Sequence, residues 1–285
     1  DPSHLNLEEL DLPPNLADTD DTREQFTRYL AEIEVLDQQV GRTLEMLDES
    51  GQTENTIVIF TSEQGSQFPG CKWTNWDTGV HTGFVVRWPG KVTPGVRTDA
   101  LIQYADVLPT LLHAVGEKPS AGEFSGESFL SVLLGKSNHH RDYAFFMHNN
   151  VPEGPPYPIR SLTDGQYHYI RNLTPDRIYM EKHLMGRMPL NQYWPSWMFA
   201  AAEDTNTYRL VHRYLSRPDE ELYRLDDDPF EMNNLAEDKR YQDIRMRLSR
   251  ELDSWMEQQG DPGIPVDSWK ELEKARSGNH FNRKP

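Results

Sequence analysis

The sequence predicts an α/β fold followed by a smaller α+β part that contains an antiparallel sheet. Apolar residues recur at steps of three and four over residues 22–50, which is typical of one face of a long helix. An apolar strand over residues 56–60 follows at once, so the two form a helix–strand unit. Later in the chain, alternating segments flank Asp164 and Gly165, which is a strong hairpin signal.

The first elements have recognisable starts and stops. Residues 1–21 are rich in Pro, Asp and Leu but lack sustained periodicity, so we expect an extended segment that docks on the body of the protein. The helix after it begins with Thr22 and Gln25, which resemble a capping box, and Gly51 supplies its stop. The strand that follows is predicted to be buried.

The middle of the chain is predicted to be less regular. A second apolar strand is predicted over residues 84–88, and a short helix over residues 107–115. Asp106 is expected to be the N-cap of that helix, so its carboxylate would accept hydrogen bonds from backbone amides. Residues 116–160 contain Gly, Pro, Asn and His clusters, which are typical of a domain boundary and a substrate-side loop.

These patterns divide the chain into residues 1–150, the larger α/β part, and residues 151–285, the smaller α+β part. The second part is predicted to be a small antiparallel sheet with a helix packed on it. Its elements are strands over residues 159–163, 166–172 and 221–225 and a helix over residues 241–258. Residues 180–215 are expected to be helical in part, with their aromatic side chains in the core. The tail after Gly260 is expected either to wrap back or to be disordered.

The composition is that of a folded protein. The chain of 285 residues contains seven Trp, twelve Tyr and eleven Phe, which is too aromatic for a disordered acidic tail. Its 46 Asp and Glu against 29 Lys and Arg give a formal net charge of −17. Nucleic acid and anionic membranes require a basic surface, so neither is expected as a partner. An anionic substrate would have to be held by local cations, above all by a bound divalent metal.

Cysteine content and hydropathy limit the remaining classes. Cys71 is the single cysteine, which excludes an internal disulfide but leaves the redox compartment open. No apolar run approaches the roughly 20 residues needed to cross a bilayer. No basic, apolar leader follows Asp1, and we expect this start to correspond to the middle of a longer protein.

The junction after the first strand is the most informative stretch. Glu63 and Gln64 come directly after the strand, Gly65 follows them, and Lys72 lies seven residues further on. A carboxylate and an amide at the carboxyl end of a strand are candidate metal ligands, because the ligand crevice of an open α/β sheet lies there. The alternatives are an ordinary polar junction and a solvated loop lysine.

An ordered set of motifs extends over most of the chain. It comprises Glu63-Gln-Gly65 with Lys72, then Gly79, Arg87-Trp-Pro-Gly90, Asp106-Val-Leu-Pro-Thr-Leu-Leu112, Ile159-Arg-Ser161, Glu221-Leu-Tyr-Arg-Leu-Asp-Asp-Asp-Pro229 and Asn233-Asn-Leu235. The set resembles the second half of a sulfatase of the alkaline-phosphatase-like superfamily. The SEQG form of the dyad, the KWT run of residues 72–74 and the EELYRLDDDPFEMNNL run of residues 220–235 resemble the heparan N-sulfatase branch.

The resemblance implies the carboxyl-terminal part of an alkaline-phosphatase-like α/β sandwich with a smaller α+β subdomain. It also implies a sulfuric ester or sulfamate hydrolase in which Glu63 and Gln64 bind Ca²⁺ and the catalytic Lys72 binds a sulfate oxygen. Many sulfatases have aspartate with histidine or asparagine at this dyad, and Glu63 and Gln64 are each one methylene longer than aspartate and asparagine. The metal preference therefore stays open.

The nucleophile of the resembled family is a formylglycine, made from the Cys or Ser that begins a C/S-x-P/A-x-R motif. No Cys or Ser of this chain begins that motif, since Cys71 is followed by Lys-Trp-Thr-Asn and Ser216 by Arg-Pro-Asp-Glu. We therefore expect the formylglycine in an amino-terminal half of the domain that this sequence lacks. That half is the expected protein partner.

Three further residues are predicted substrate contacts. His81 follows the lysine loop, His148 lies in the irregular segment, and Arg160 offers a planar fork suited to sulfate or carboxylate. The alternatives are a satisfied loop histidine for His81 and a tie between the hairpin and the main part for Arg160. The implied substrate is a sulfated sugar of a glycosaminoglycan-like polymer. The implied location is the periplasm, the cell exterior or a lysosome.

Two other classes of function stay open, because a fold does not fix its chemistry. One is a phosphate or phosphonate ester hydrolase on the same scaffold. The other is a non-catalytic sugar-binding remnant. The sulfated position and the oligomeric state are not predicted.

Overall fold

The computed structural model describes residues 4–120, 122–185 and 193–277. The helices in these ranges are α1 (Asp20–Glu49), α2 (Asp77–Val80), α3 (Val107–Ala114), α4 (Leu130–Leu133), α5 (Lys182–Met185), α6 (Tyr193–Ala200), α7 (Thr205–Leu215), α8 (Gln242–Gln259) and α9 (Trp269–Arg276). The strands are β1 (Val58–Thr61), β2 (Phe84–Arg87), β3 (Ala144–His148), β4 (Ile159–Thr163), β5 (Tyr167–Asn172) and β6 (Glu220–Arg224).

The long first helix is confirmed, but its cap lies further upstream than predicted. Thr19 is the N-cap, and its hydroxyl oxygen accepts a hydrogen bond from the backbone N–H of Thr22 at 3.2 Å. The extended segment before it docks on the body as predicted, because Leu16 and Ala17 are buried in the main core. Much of the apolar stripe of α1 is exposed, and Leu36, for example, retains 44% of its accessible surface.

Strands β1 and β2 pair antiparallel, with Val58 opposite Arg87 and Thr61 opposite Phe84. Strand β1 is half-buried rather than buried, because within the described residues its only partner strand is β2. Backbone hydrogen bonds continue beyond the strands, since the N–H of Ser62 donates to the carbonyl of Gly83 at 3.1 Å. The polar junction after β1 is therefore fixed against the start of β2.

Asp106 binds backbone amides, as predicted, but it does not cap the helix predicted for it. Helix α3 begins at Val107 without a side-chain cap from Asp106. The buried carboxylate instead accepts from the N–H groups of Gln103 at 2.7 Å and Glu127 at 2.9 Å, and it pairs with Arg141. The difference arises because a preceding turn, Tyr104–Asp106, and a loop segment bring these amides to the carboxylate.

The second half contains a four-stranded antiparallel sheet in the order β3-β4-β5-β6. The predicted hairpin, its Asp164-Gly165 turn and the later strand are confirmed. The predicted division at residue 150 stays a prediction, although the sheet includes one strand, β3, that precedes it. Helix α8 packs on one face, where Leu248 and Leu252 are fully buried.

The other face of the sheet belongs to a core that joins both halves of the chain. This core contains Trp76 from the β1–β2 connection, Ile159 and Ile170 from the sheet, and Trp197 and Tyr214 from α6 and α7. The indole N–H of Trp76 donates to Glu221 Oε2 in β6 at 2.8 Å. The loop that follows β1 is therefore anchored on the sheet.

The chain after α8 wraps back on the body as far as residue 277. The buried carboxylate of Asp267 accepts from the backbone N–H groups of Asn150 and Val151 at 2.9 Å and from that of Tyr157 at 2.7 Å. Within the described ranges, no helix has both the length and the apolar character required to cross a bilayer.

Candidate active site

The loop after β1 folds back on itself at Gly65. This glycine has φ of +60°, and a Cβ added to it would lie 2.7 Å from the backbone nitrogen of Lys72 and 2.8 Å from the carbonyl oxygen of Thr78. Both the left-handed backbone and the close approach require glycine. The N–H of Lys72 donates to the carbonyl of Ser66 at 3.0 Å. The loop thus returns Lys72 to the end of the strand.

This fold brings two of the predicted site residues into contact. Lys72 Nζ lies 2.7 Å from Glu63 Oε1, and the side chains are 23% and 69% exposed. Gln64 is exposed beside Glu63. An exposed carboxylate thus contacts an ammonium group, and the next residue offers an exposed amide. Such a set suits a site that holds a cation and an anion together.

Trp73 is a further residue of this site, and its role was not recognised in the sequence. It has φ of +65°, which is uncommon for a bulky residue. Its carbonyl accepts a hydrogen bond from the hydroxyl of Tyr179 at 2.5 Å, and Lys72 Nζ lies 5.5 Å from the centroid of its ring. The ring stacks on that of His183 at 5.1 Å. The KWT run marks the position, but no spacing pattern connects it to Tyr179 or His183.

His81 is exposed near the end of the same loop. Its Nδ1 lies 3.1 Å from Asp77 Oδ2, and this hydrogen bond raises the pKa of the imidazole. The backbone N–H of Asp77 donates to Glu231 Oε2 at 2.5 Å, which ties this segment to the second half of the chain. The role of His81 as a substrate contact stays a prediction.

His148, at the end of β3, is connected to the loop through Tyr179. Its Nε2 lies 3.4 Å from the hydroxyl of Tyr179, which also binds the carbonyl of Trp73. Burial and the charge of Arg217 lower the pKa of His148 to about 4. The imidazole is therefore neutral at pH 7. It can donate or accept a hydrogen bond, but it does not offer a positive charge to a sulfate.

Arg160 is buried and its guanidinium is occupied within the protein. It forms an ion pair with Asp261, in which Nη2 lies 3.1 Å from Oδ1, and it donates to Asn149 Oδ1 at 3.0 Å and to the carbonyl of His148 at 3.3 Å. Arg160 has no exposed surface, and its contacts favour the alternative of a structural tie. Its role as a substrate contact is not tested by them and stays a prediction.

A cluster of three further ionisable residues lies next to Trp73. Glu153, Glu181 and His183 each offer one ligand atom, and these atoms all lie within 4.8 Å of one another. The three residues were not recognised in the sequence. They come from segments about thirty residues apart, so no local spacing reveals them.

Two family models match this chain. The sulfatase model matches residues 6–117, and the model of the carboxyl-terminal region of N-sulphoglucosamine sulphohydrolase matches residues 72–176 and 198–258. The second match alone covers more than half of the chain. The protein belongs to the sulfatase family, and its fold is the alkaline-phosphatase-like fold of that family. Members of the family generally use a metal ion.

Curated relatives also support membership of the sulfatase family. An ulvan-active sulfatase from Formosa agariphila is 32% identical over 246 residues, which are 84% of this chain and 46% of the relative. Human N-sulphoglucosamine sulphohydrolase is 26% identical over 257 residues, 80% of this chain and 47% of the relative. The chain thus spans about half the length of the curated relatives it matches.

Solved structures support the fold. A protein in complex with its substrate D-glucosamine-2-N,6-O-disulfate matches with a TM-score of 0.57 at 19% identity, over 83% of this chain and 41% of that protein. A phosphonate monoester hydrolase from Silicibacter pomeroyi matches with a TM-score of 0.58 at 20% identity, over 90% of this chain and 46% of that protein. At this identity the likeness concerns the fold alone.

Proposed function

We propose that this chain is part of a hydrolase of sulfuric esters or sulfamates that acts on a sulfated sugar. Glu63 and Gln64 would hold a metal ion in it, and Lys72 would bind an oxygen of the sulfate. The observation that carries the proposal is the contact between Lys72 and the exposed Glu63, which the turn at Gly65 brings together at the end of β1.

Sulfate esters resist hydrolysis because anionic oxygens shield the sulfur and the leaving group departs with negative charge. A positive charge fixed beside the sulfate lowers this barrier, since it stabilises the charge that develops in the transition state. Lys72 supplies such a charge, and its 23% exposed side chain is positioned by the ion pair with Glu63. A sulfate oxygen that approaches Lys72 would share the ammonium group with this carboxylate.

The donor set of Glu63 and Gln64 fits a hard cation. Carboxylate and amide oxygens are the ligands that Ca²⁺ prefers, and Ca²⁺ takes roughly six to eight of them. The exposed dyad provides two donors, and the sulfate and residues outside this chain would provide others. Bound there, the ion would act as a Lewis acid and template for the sulfate. The formylglycine nucleophile is expected in the amino-terminal half of the complete domain.

The amino-terminal half is also the partner that the exposed apolar surface would accept. Ile33 and Leu36 of α1 and Val85 of β2 retain 43%, 44% and 62% of their surface, although they lie in regular elements of an α/β domain. Apolar side chains on one face of a helix normally pack against a neighbouring element. We place the remaining part of the sandwich against these exposed side chains of α1 and β2.

The proposed substrate is a sulfated sugar. Support comes from the names of the similar proteins, which refer to ulvan, to N-sulphoglucosamine and to a glucosamine disulfate. His81 and His148 are the predicted contacts for the sugar, and the neutral imidazole of His148 suits a hydroxyl group better than a sulfate. A location in the periplasm, outside the cell or in a lysosome stays a prediction.

A phosphate or phosphonate ester hydrolase is the second candidate function. A phosphonate monoester hydrolase shares the fold, and a lysine beside a metal-binding carboxylate could serve a phosphonate as well. The family models and curated relatives favour sulfate. A non-catalytic sugar-binding protein is the third candidate and would require no nucleophile at all.

The test measures sulfate release by the full-length protein, meaning the protein encoded by the complete coding sequence. Aryl sulfate and N-sulfated glucosamine are the substrates, and phenylphosphonate is the comparison. We expect Lys72→Ala and Glu63→Ala each to lower kcat/KM for sulfate release by about 10²–10³-fold, the effect of removing one transition-state contact. Lys136→Ala and Glu54→Ala change exposed residues outside the loop and serve as controls.

The outcomes separate the candidates. Sulfate release that depends on Lys72 and Glu63 supports the proposal. Faster turnover of phenylphosphonate than of either sulfate would support the second candidate. Binding of the sugar without turnover would support the third. Unchanged sulfate release in both loop variants would refute the assignment of the site.

A further inference from the structure

Glu153, Glu181 and His183 converge beside the loop of Lys72 but belong to different elements. Glu153 lies in the loop between β3 and β4, and the other two lie at the start of α5. Nε2 of His183 lies 2.7 Å from Glu153 Oε2 and 4.0 Å from Glu181 Oε1. Bonds of about 2.0–2.2 Å to a common ion place ligand atoms roughly 3–4 Å apart. The three atoms therefore need only a small adjustment to share one ion.

Glu181 supplies an independent observation. Its side chain has no exposed surface, and Oε2 accepts a hydrogen bond from the backbone N–H of Leu184 at 2.9 Å. Its second oxygen, Oε1, has no hydrogen-bond partner among the described residues and faces His183. A buried carboxylate oxygen without a partner is unfavourable, because it has lost its hydrogen bonds to water. The cap of α5 explains one oxygen of Glu181 and leaves the other unexplained.

The two ligand-bearing segments are held together by the side chain of Asn150 and by a close backbone approach at Gly154. The side-chain nitrogen of the buried Asn150 donates to the carbonyls of Pro155 and Met180, both at 2.7 Å. A Cβ at Gly154 would lie 2.1 Å from the carbonyl oxygen of Met180, so only glycine allows this approach. The relative position of Glu153 and Glu181 is therefore fixed before any ion binds.

We propose that Glu153, Glu181 and His183 form a site for a divalent ion of the zinc class, separate from the Glu63–Gln64 dyad. Two carboxylates and one imidazole suit Zn²⁺, whereas Ca²⁺ favours oxygen ligands alone. Water would complete the coordination. This inference does not depend on the proposed reaction.

Lys182 occupies part of the site when no ion is bound. Its Nζ lies 2.5 Å from Glu153 Oε2, and its side chain is 56% exposed, so it can leave without unfolding its surroundings. The alternative, a cluster of ion pairs without metal, accounts for Glu153 but leaves Oε1 of Glu181 without a hydrogen-bond partner in the part of the chain that the structure describes. The two alternatives differ in the expected effect of removing Lys182.

The position of the site gives it a structural role. The ring of His183 stacks on Trp73 with an angle of 12° between the planes, and Trp73 follows Lys72 directly. An ion that fixes His183 would also fix the ring over which Lys72 lies. The ion would thereby couple the second half of the chain to the loop of the candidate active site.

The test is calorimetric titration of ZnCl₂ into the tag-free full-length protein, stripped of metal and then kept in excess CaCl₂ so that the Glu63–Gln64 dyad is occupied, with X-ray absorption at the zinc edge. We expect one ion with a first shell of one imidazole nitrogen and oxygens. Affinity should fall at least tenfold in His183→Gln and Glu181→Gln. It should rise in Lys182→Ala, because the competing ammonium group is gone.

Two control variants make the outcome specific. His139→Gln removes a histidine that also pairs with a carboxylate, Asp142, at 3.4 Å but belongs to no three-residue cluster among the described residues. It should leave zinc affinity unchanged, and so should Glu63→Gln. Zinc affinity that falls in Glu63→Gln but not in His183→Gln would overturn the inference and leave the proposed function intact. Absence of zinc binding, or weaker binding in Lys182→Ala, would overturn it as well.

Discussion

The loop between β1 and β2 and the four-stranded sheet use the same kinds of charged residue in opposite ways. In the loop, Glu63 and Lys72 form an ion pair on an accessible surface, where Glu63 is 69% exposed. On the sheet, Arg160 has no exposed surface and pairs with Asp261, and His168 pairs with Glu231 with only 1% of either side chain exposed. The Glu63–Lys72 pair can open to a ligand at little cost, whereas opening either buried pair would leave a charge without compensation.

The difference lies in what each ion pair contributes. An exposed pair is worth about 0–1 kcal/mol, so a sulfate can replace one partner at little cost. Breaking a buried pair by removing one partner costs about 3–5 kcal/mol, because a charge is left without compensation. A charged residue near a cleft is therefore a better candidate for binding when its partner is exposed. By this criterion Lys72 is a stronger candidate than Arg160.

The largest effect is expected on the sheet. Arg160→Met keeps the volume but leaves Asp261 without its cation, so the free energy of unfolding should fall by about 3–5 kcal/mol. Urea denaturation of the full-length protein at pH 7 measures the change. Arg87→Met is the matched control, because Arg87 pairs with Asp48 at 3.6 Å on the surface. Equal losses in the two variants would show that Arg160 is not a structural tie.

The backbone of the loop is the second place to test the comparison. Gly65→Ala forces a Cβ against the backbone of Lys72 and Thr78 and should destabilise the protein by about 3 kcal/mol while it separates Lys72 from Glu63. Gly90→Ala is the control, since Gly90 has φ of +68° and no atom within 4 Å of the added Cβ. It should lose only about 1–2 kcal/mol, the penalty of the left-handed backbone. Similar losses in both variants would contradict the described folding of the loop.

The pKa values of the two predicted substrate histidines should be shifted in opposite directions. Burial and Arg217 lower the pKa of His148 to about 4, whereas Asp77 raises the pKa of the exposed His81. Folded His148 stays neutral while the unfolded chain takes up a proton. The free energy of unfolding therefore falls as pH drops from 6.5 towards 4, by about 3 kcal/mol at most. The contribution of His81 is present below its ordinary pKa and is lost as pH rises through the raised value.

NMR titration of the histidine ring protons measures both pKa values, with His148→Gln and His81→Gln to assign the signals. A separation of more than about two pH units is expected between the midpoints, in line with the shifts that burial and a carboxylate partner cause. Stability of His148→Gln should depend less on pH between 4 and 6.5 than that of the unchanged protein. A midpoint for His148 near 6.5 would place this residue on an accessible surface.

Local patterns in the sequence were sufficient for much of the fold. The stripe of Leu248 and Leu252 predicted α8, and the Asp164-Gly165 turn predicted the hairpin, because both signals lie within one element and its immediate neighbours. Thr19 rather than Thr22 caps α1, since several threonines and aspartates near a helix start are equally suitable caps.

The candidate site was predictable where its residues lie close in the sequence. Glu63 and Lys72 are nine residues apart, their motif marked both as candidates, and the structure brings them into contact. The partners of Arg160 and Trp73 were not predictable, because Asp261 and His183 lie about a hundred residues away and only the folded chain selects them. The role of Arg160 therefore had two alternatives in the sequence, and its burial favours the structural tie, while its role as a substrate contact stays a prediction.

The smallest effect on stability is expected at Lys72 itself. Lys72→Ala removes one partner of an exposed pair, and Glu63 remains solvated, so the free energy of unfolding should change by less than about 1 kcal/mol. The same urea denaturation measures it, beside Arg160→Met. A large loss of sulfate release with an almost unchanged unfolding curve would assign Lys72 to binding and catalysis rather than to structure. A loss of 3 kcal/mol or more would place Lys72 with the buried charges of the sheet, and the contrast between the two regions would no longer identify the site.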